Sequence, residues 1–339
     1  MRNSPSILYA TSRFGASLSV ARRWIIATAG AALWTQLLIM PAPAADNGIE
    51  IDRGKYANRP LRRSPFPQSC PNTERSLVQI SGNLYRHTNQ SWPAVHSGFV
   101  LITSEGAIVV DPALKCTSTW LRDEIKARFN QPVKYLIYTH GHFDHIEGGD
   151  VFQEAGAIVV GQSNAVDAIV GERLPTAVPD KVYDKRMSIE LGGETAELFY
   201  IAPSHSNSMS MVLFPKQKAL QCTDVCESKT FPYMDFLDFY YDGWIETLNW
   251  VLDQDVDVID VGHYTPATKP DQRALRDYMI DLHDQVLALV REGQTWDELY
   301  RNVKFKDTYK GWFSRSQHSG NASLGSPASQ RGLVIPGRP

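Results

Sequence analysis

The spacing of apolar side chains changes several times along the chain, and each change marks an element. Residues 77–86 read as strand-like, as the short runs 98–103 and 107–110 do. Ser104-Glu105-Gly106 between the last two predicts a hairpin turn, and Asp111-Pro112 closes the second run. From 117 to 129 the period lengthens: Trp120, Leu121, Ile125 and Phe129 recur at helical spacing. A strand at 133–138 follows, then a helix at 151–155, a strand at 158–160 and a helix at 165–170. The second half repeats the theme, with strands at 188–191, 196–201, 209–214 and 219–222, a helix at 244–252 and a strand at 256–261. Pro270 opens a long helix to about residue 292, since a first-turn residue needs no N–H partner. That helix carries Leu275, Met279, Leu282, Val286 and Leu289 on one face, and Thr295 with Glu298 predicts a capping box for a last helix.

Strands and helices in two successive sets predict an α/β fold of layered sheets covered by helices, in one domain over residues 77–312. Residues 45–76 are rich in Pro, Arg and Asn and read as an extended lead-in. Residues 313–339 are rich in Ser, Gly and Pro and read as a disordered tail. At the start, Arg22-Arg23 precede an apolar run over 24–40 that ends at Ala42-Pro43-Ala44. A charged start, an apolar stretch and a small-residue cut form a signal peptide over residues 1–44. The expected location is therefore periplasmic or secreted, without a stable membrane anchor. General secretion and twin-arginine export both fit.

Composition narrows the function. The 339 residues carry a net charge of -3, with 43% hydrophobic and 21% charged residues. No basic stripe with interleaved aromatics stands out, so no nucleic-acid partner is expected and a small-molecule site is. Four cysteines, Cys70, Cys116, Cys222 and Cys226, are too few for a disulfide scaffold in so long a chain. Export allows bridges to persist, but spacing does not choose among the pairings. Buried thiols or a single bridge are favoured over a soft-metal site, although Cys222 and Cys226 flank Asp224.

The densest chemistry is Thr139-His140-Gly141-His142-Phe143-Asp144-His145, just past the strand at 133–138. Histidine is the commonest metal ligand, and carboxylate oxygens suit hard or borderline ions. In extended backbone alternate residues point the same way, so His140 and His142 can grip one ion. Asp144 and His145, on the turn beyond, can face a second. The cluster also lies where open sheets place their ligands, beyond a strand's carboxyl end.

At these residues the chain resembles the metallo-beta-lactamase fold superfamily, whose H-x-H-x-D-H signature stands here as His140 to His145. Further landmarks match one at a time: Asp111 closing an early strand, His205 after the strand at 196–201, Asp224 after 219–222, and Gly262-His263 after 256–261. The resemblance spans residues 77–292. Asn207 and Cys222 depart from the usual pattern without removing a ligand. The resemblance implies a four-layer αββα sandwich with two divalent metal ions at one edge between the sheets. His140, His142 and His205 would hold the first ion and Asp144, His145 and His263 the second, with Asp224 bridging. Zinc is the default ion, and iron or manganese suits the same donors. His87, His96, His283 and His318 receive no role.

Two such ions would share a hydroxide that attacks a carbonyl carbon, with Asp144 as the catalytic residue that orients it and passes its proton on. Hydrolysis of an ester, lactone or thioester is favoured, because Asp224 resembles the bridging ligand of lactonases and glyoxalase-type hydrolases. The alternative is a periplasmic beta-lactamase, which export suits; all-histidine lactamases, however, generally lack a bridging aspartate. A non-enzymatic metal-binding protein on the same fold would be expected to lose ligands, and none is lost. Phe231, Tyr233, Phe236, Phe239, Tyr240, Tyr241 and Trp244 follow Asp224. They form either an apolar wall for an apolar or aromatic substrate or the packing under the next helix. Trp92 is a candidate for a mobile flap. Oligomeric state leaves no mark in the sequence.

Overall fold

Alternation along the central strands sends side chains to two different cores. Strands β1 (Ile49–Glu50), β2 (Arg75–Ser81), β3 (Leu84–Ser91), β4 (Ala94–Thr103), β5 (Gly106–Val110), β6 (Val133–Ile137), β7 (Ile158–Gln162) and β8 (Lys181–Tyr183) form one sheet in the order β1-β8-β7-β6-β5-β4-β3-β2. Strands β9 (Arg186–Leu191), β10 (Glu194–Phe199), β11 (Met211–Phe214), β12 (Ala219–Gln221) and β13 (Val258–Asp260) form a second, ordered β13-β12-β11-β10-β9. Helices α1 (Lys115–Phe129), α2 (Phe143–Ile146), α3 (Gly149–Glu154) and α4 (Asn164–Gly171) follow strands of the first sheet. Helices α5 (Tyr241–Asp253), α6 (Lys269–Arg291) and α7 (Trp296–Asn302) follow those of the second.

On the first sheet, Val100, Val109 and Leu136 face Leu121 and Ile125 of α1, Phe152 and Ile169. Their neighbours Leu101, Ile108 and Ile137 face the second sheet, where they meet Ile189, Leu198 and Val212. The far side of the second sheet buries Leu220 and Ile259 under Trp244, Leu248, Leu275 and Met279 of α5 and α6. Each fully buried aliphatic side chain contributes roughly 1.5–3 kcal/mol. The layers therefore run helix, sheet, sheet, helix: the αββα sandwich.

The computed structural model describes residues 48–64, 73–91, 94–232 and 238–312, all of them within the unit Pro43–Pro339. The expected signal peptide and tail, and Cys70, Trp92, Tyr233, Phe236 and His318, lie outside those residues. Among the described residues, no helix is long and apolar enough to cross a membrane.

Several elements differ from expectation. The run at 77–86 is two strands, because Gly82 takes a positive φ of 55° and turns the chain back on itself. β4 begins at Ala94, four residues before the expected start, which draws His96 into the sheet. The lead-in contributes β1, paired with β8, and the Arg59 guanidinium donates to the Leu174 and Thr176 carbonyls at 2.6 Å each. Cys222 and Cys226 are fully buried and joined in a disulfide, so no thiolate is offered to a metal there. Cys116 is disulfide-bonded as well.

Candidate metal centre

β5 and β6 run parallel, so Asp111 and His140 emerge side by side at their carboxyl ends. The Asp111 carboxylate accepts the Thr139 N–H at 2.9 Å, the Thr139 hydroxyl at 2.7 Å and the Thr223 hydroxyl at 3.0 Å. It thereby staples the ends of β5, β6 and β12 together from below, and burial pushes its carboxyl up to about 6. Thr139 Oγ1 stands 3.0 Å from His140 Nδ1, which turns Nε2 toward the centre. His142 caps α2, whose first turn carries Asp144 and His145.

Each remaining element fixes one more side chain. The loop between β10 and β11 carries His205 and is sewn to the His140 loop: Ser210 N–H donates to the Thr139 carbonyl at 2.6 Å, and Gly141 N–H to Ser208 Oγ at 3.1 Å. Asp224 follows β12 in a left-handed conformation, φ 58°. The Cys222–Cys226 bridge encloses it, and its N–H donates to the Val261 carbonyl at 3.1 Å. His263 follows β13, with Nδ1 2.9 Å from the Val95 carbonyl oxygen. Beneath it, Arg86 Nε donates to Asp260 Oδ1 at 2.9 Å in a buried ion pair. Ser97 Oγ donates to the same oxygen at 2.8 Å, and Arg86 Nη2 donates to the Tyr264 carbonyl at 2.7 Å. This network ties β3 and β4 of the first sheet to the loop after β13 of the second.

All seven expected ligands meet at this edge. His140, His142 and His205 form one group of potential ligands, and His140, His145 and Asp224 another. His205 Nε2 lies 2.9 Å from His142 Nδ1. Asp224 Oδ2 lies 2.8 Å from His145 Nε2 and 3.7 Å from both His140 Nε2 and His205 Nε2, while Oδ1 lies 3.1 Å from His263 Nε2. One carboxylate thus stands between both histidine groups. Asp144 Oδ2 lies 3.4 Å from His145 Nε2 and 3.7 Å from His263 Nε2.

Burial and the neighbouring imidazoles hold His140 well below the usual histidine range, so its lone pair is free for a cation. Burial alone would raise Asp224, but His263, His145 and His205 outweigh it and keep the carboxylate ionised. Asp144 is held low in the same way by His145 and His96. Burial opposes the charged form of His145, yet Asp144 and Asp224 push it up to about 10. A cation entering such a cluster displaces its protons. The donor set also fits one chemically. His140 Nε2 is fully buried without a hydrogen-bond partner, a costly state unless something else takes the lone pair.

Two polar neighbours escaped the sequence reading. Asp238 Oδ1 lies 3.0 Å from His142 Nε2, leaving Nδ1 for the cluster. The buried His96 stands beside Asp144 and His263. The histidine-rich motif gave no signal for either. Two other unassigned histidines lie in packing contacts: His87 is buried against the Val110 carbonyl, and His283 stacks on Tyr241. The aromatic stretch divides. Trp244 packs edge-on against His205, and Phe239 packs on Trp244. Phe231 instead joins Tyr278 and Trp312 in the core.

A family model described as the metallo-beta-lactamase superfamily matches residues 92–263. The chain is 26% identical over 137 residues to the 2,4-dinitroanisole O-demethylase subunit alpha of Nocardioides sp. (strain JS1661), covering 40% of this chain and 41% of that protein. It is 28% identical over 151 residues to a type 2 metallo-beta-lactamase of Bacillus sp. (strain 170), covering 43% and 58%. The chain thus spans about half the length of these curated relatives. In fold it is similar to a metallo-beta-lactamase from Pontibacter korlensis, with a TM-score of 0.57 and 20% identity over 61% of this chain and 99% of that one.

Proposed function

The chain belongs to the metallo-beta-lactamase superfamily, and from that membership we propose that it is a dinuclear metal-dependent hydrolase acting on the carbonyl of an ester, lactone or thioester. The observation that carries this reading is Asp224. Its Oδ2 faces His145, His140 and His205 together and its Oδ1 faces His263, so one carboxylate touches both histidine groups, as a carboxylate shared by two cations would. His140, His142 and His205 would hold one ion, and Asp144, His145 and His263 the other. Bound there, two divalent ions would supply an acidified water as nucleophile and polarise the substrate carbonyl.

The protein's own side chains account for the rest. Asp144 is the most exposed of the acidic ligands, with a side-chain exposure of 30% against 4% for Asp224. It can accept the proton of the attacking water and return it to the leaving group. His142 and His205 are also partly exposed, at 27% and 16%, and substrate would enter from their side. Phe239, half-buried on the core Trp244 that packs behind His205, would support an apolar or aromatic group on the substrate. The resident ions we take to be zinc, with iron and manganese compatible with the same donors. Action outside the cytoplasm, after removal of residues 1–44, belongs to the same proposal.

A panel of aryl esters, lactones, thioesters and beta-lactams, assayed with zinc-, manganese- and iron-loaded protein, tests the reaction. Turnover should fall within the first three classes. Asp144→Asn should keep the first ion and lose roughly 10²–10⁴-fold in turnover. Cleavage of beta-lactams alone would replace this reading with the lactamase one.

A further inference from the structure

His96 lies outside the motif, but the topology brings it to the same edge. β4 runs antiparallel to β5, with Val100 opposite Val109, so β4 begins where β5 ends in Asp111. His96 is bridged to His263 across the two sheets. On either side of it, Ser97 N–H donates to the Gly262 carbonyl at 2.8 Å, and the Val95 carbonyl stands 2.9 Å from His263 Nδ1. The backbone of His96 is thus locked to the loop that carries one ligand, and its side chain is 2% exposed.

Three imidazoles converge on one oxygen. His96 Nε2 and His145 Nε2 each lie 3.4 Å from Asp144 Oδ2, and His263 Nε2 lies 3.7 Å from it. The ring centroids of His96, His145 and His263 are 4.8–5.6 Å apart. Two donors that share one ion at about 2.1 Å stand about 3.0–3.4 Å apart at octahedral or tetrahedral angles. A charge-assisted N–H···O bond is shorter, about 2.7–2.9 Å. His96 therefore holds the same relation to Asp144 that the expected ligand His145 holds.

We propose that His96 is a ligand of the second ion, a reading that rests on the two-ion site proposed above. That ion then has four side chains of its own, His96, Asp144, His145 and His263, and shares Asp224 with the first. Five protein donors leave a six-coordinate ion one open position at most. The first ion, with three histidines and the shared carboxylate, keeps more room. The substrate carbonyl would therefore meet the first ion, on the side where His142 and His205 are partly exposed.

The test is metal binding to the full chain and to His96→Ala and His96→Gln, the second of which keeps most of the volume and a polar tip. Stepwise zinc titration by calorimetry is paired with proton spectra of the cobalt(II)-loaded proteins. An imidazole bound through Nε2 shows its Nδ1–H as a strongly shifted, exchangeable resonance. Both variants should lose one such resonance and weaken one zinc step by about 100-fold or more, since losing a ligand costs more than losing an outer partner. The other step should be unchanged. Retention of every shifted resonance would overturn the proposal whatever the affinity, because a residue that only positions Asp144 lies too far from the ion to carry one. Wild-type protein that takes up a single ion would instead remove the two-ion reading, and this inference with it.

Discussion

His142 is held at both ends of its ring. Nε2 lies 3.0 Å from Asp238, and Nδ1 lies 2.9 Å from His205 Nε2. A carboxylate on one nitrogen fixes the tautomer and makes the other nitrogen a better donor. Burial opposes the charged ring, but Asp238 outweighs it and raises His142 above its ordinary value. Asp238→Asn should therefore weaken the first ion by about 10–100-fold and leave the second unchanged. Competition with a chelator of known affinity measures both, and an unchanged first step would deny Asp238 this role. The sequence hides this partner because it lies 96 residues from His142 in a stretch that reads as aromatic. The ligands in the motif were legible because six consecutive residues concentrate their chemistry. His205, Asp224 and His263 became legible only through the family resemblance, since each stands alone among ordinary neighbours.

At the scale of elements, the ends of strands and helices matter more than their middles. The first turn of α5 lies against the loop that carries His205: a Cβ on Gly243 would stand 1.8 Å from the Pro203 carbonyl oxygen. Glycine inside a helix ordinarily costs stability relative to alanine, roughly 0.5–1 kcal/mol. Here the contact reverses the sign. Gly243→Ala should destabilise the fold by about 1–3 kcal/mol, as overpacking does, and should weaken the first ion through His205. Denaturant unfolding and zinc titration of that variant check the two effects, and a stabilised variant would show that the loop yields freely. The middles of elements were the legible part, because α1 carries a helical period and β5 an unbroken apolar run. The ends were not. A tight turn at Gly82 interrupts no apolar pattern, a two-residue strand such as β1 has no period to read, and the polar start of β4 concealed that His96 belongs to the sheet.

Across the whole molecule, two sheets meet face to face, and each presents to one edge the carboxyl ends of a parallel pair, β5 with β6 and β12 with β13. That juxtaposition brings residues as distant as Asp111 and His263 into one site, and the buried Arg86–Asp260 pair fastens it behind. The layering was legible as two sets of strands with helices, yet the order of strands and the facing of the edges depend on long-range pairing that no local pattern encodes. The central claim is that this edge holds two ions around one shared carboxylate. Elemental analysis of the purified wild-type chain, loaded with excess zinc and freed of loosely bound metal, tests it most directly. The expected result is two ions per chain; a chain saturated by one ion would contradict it.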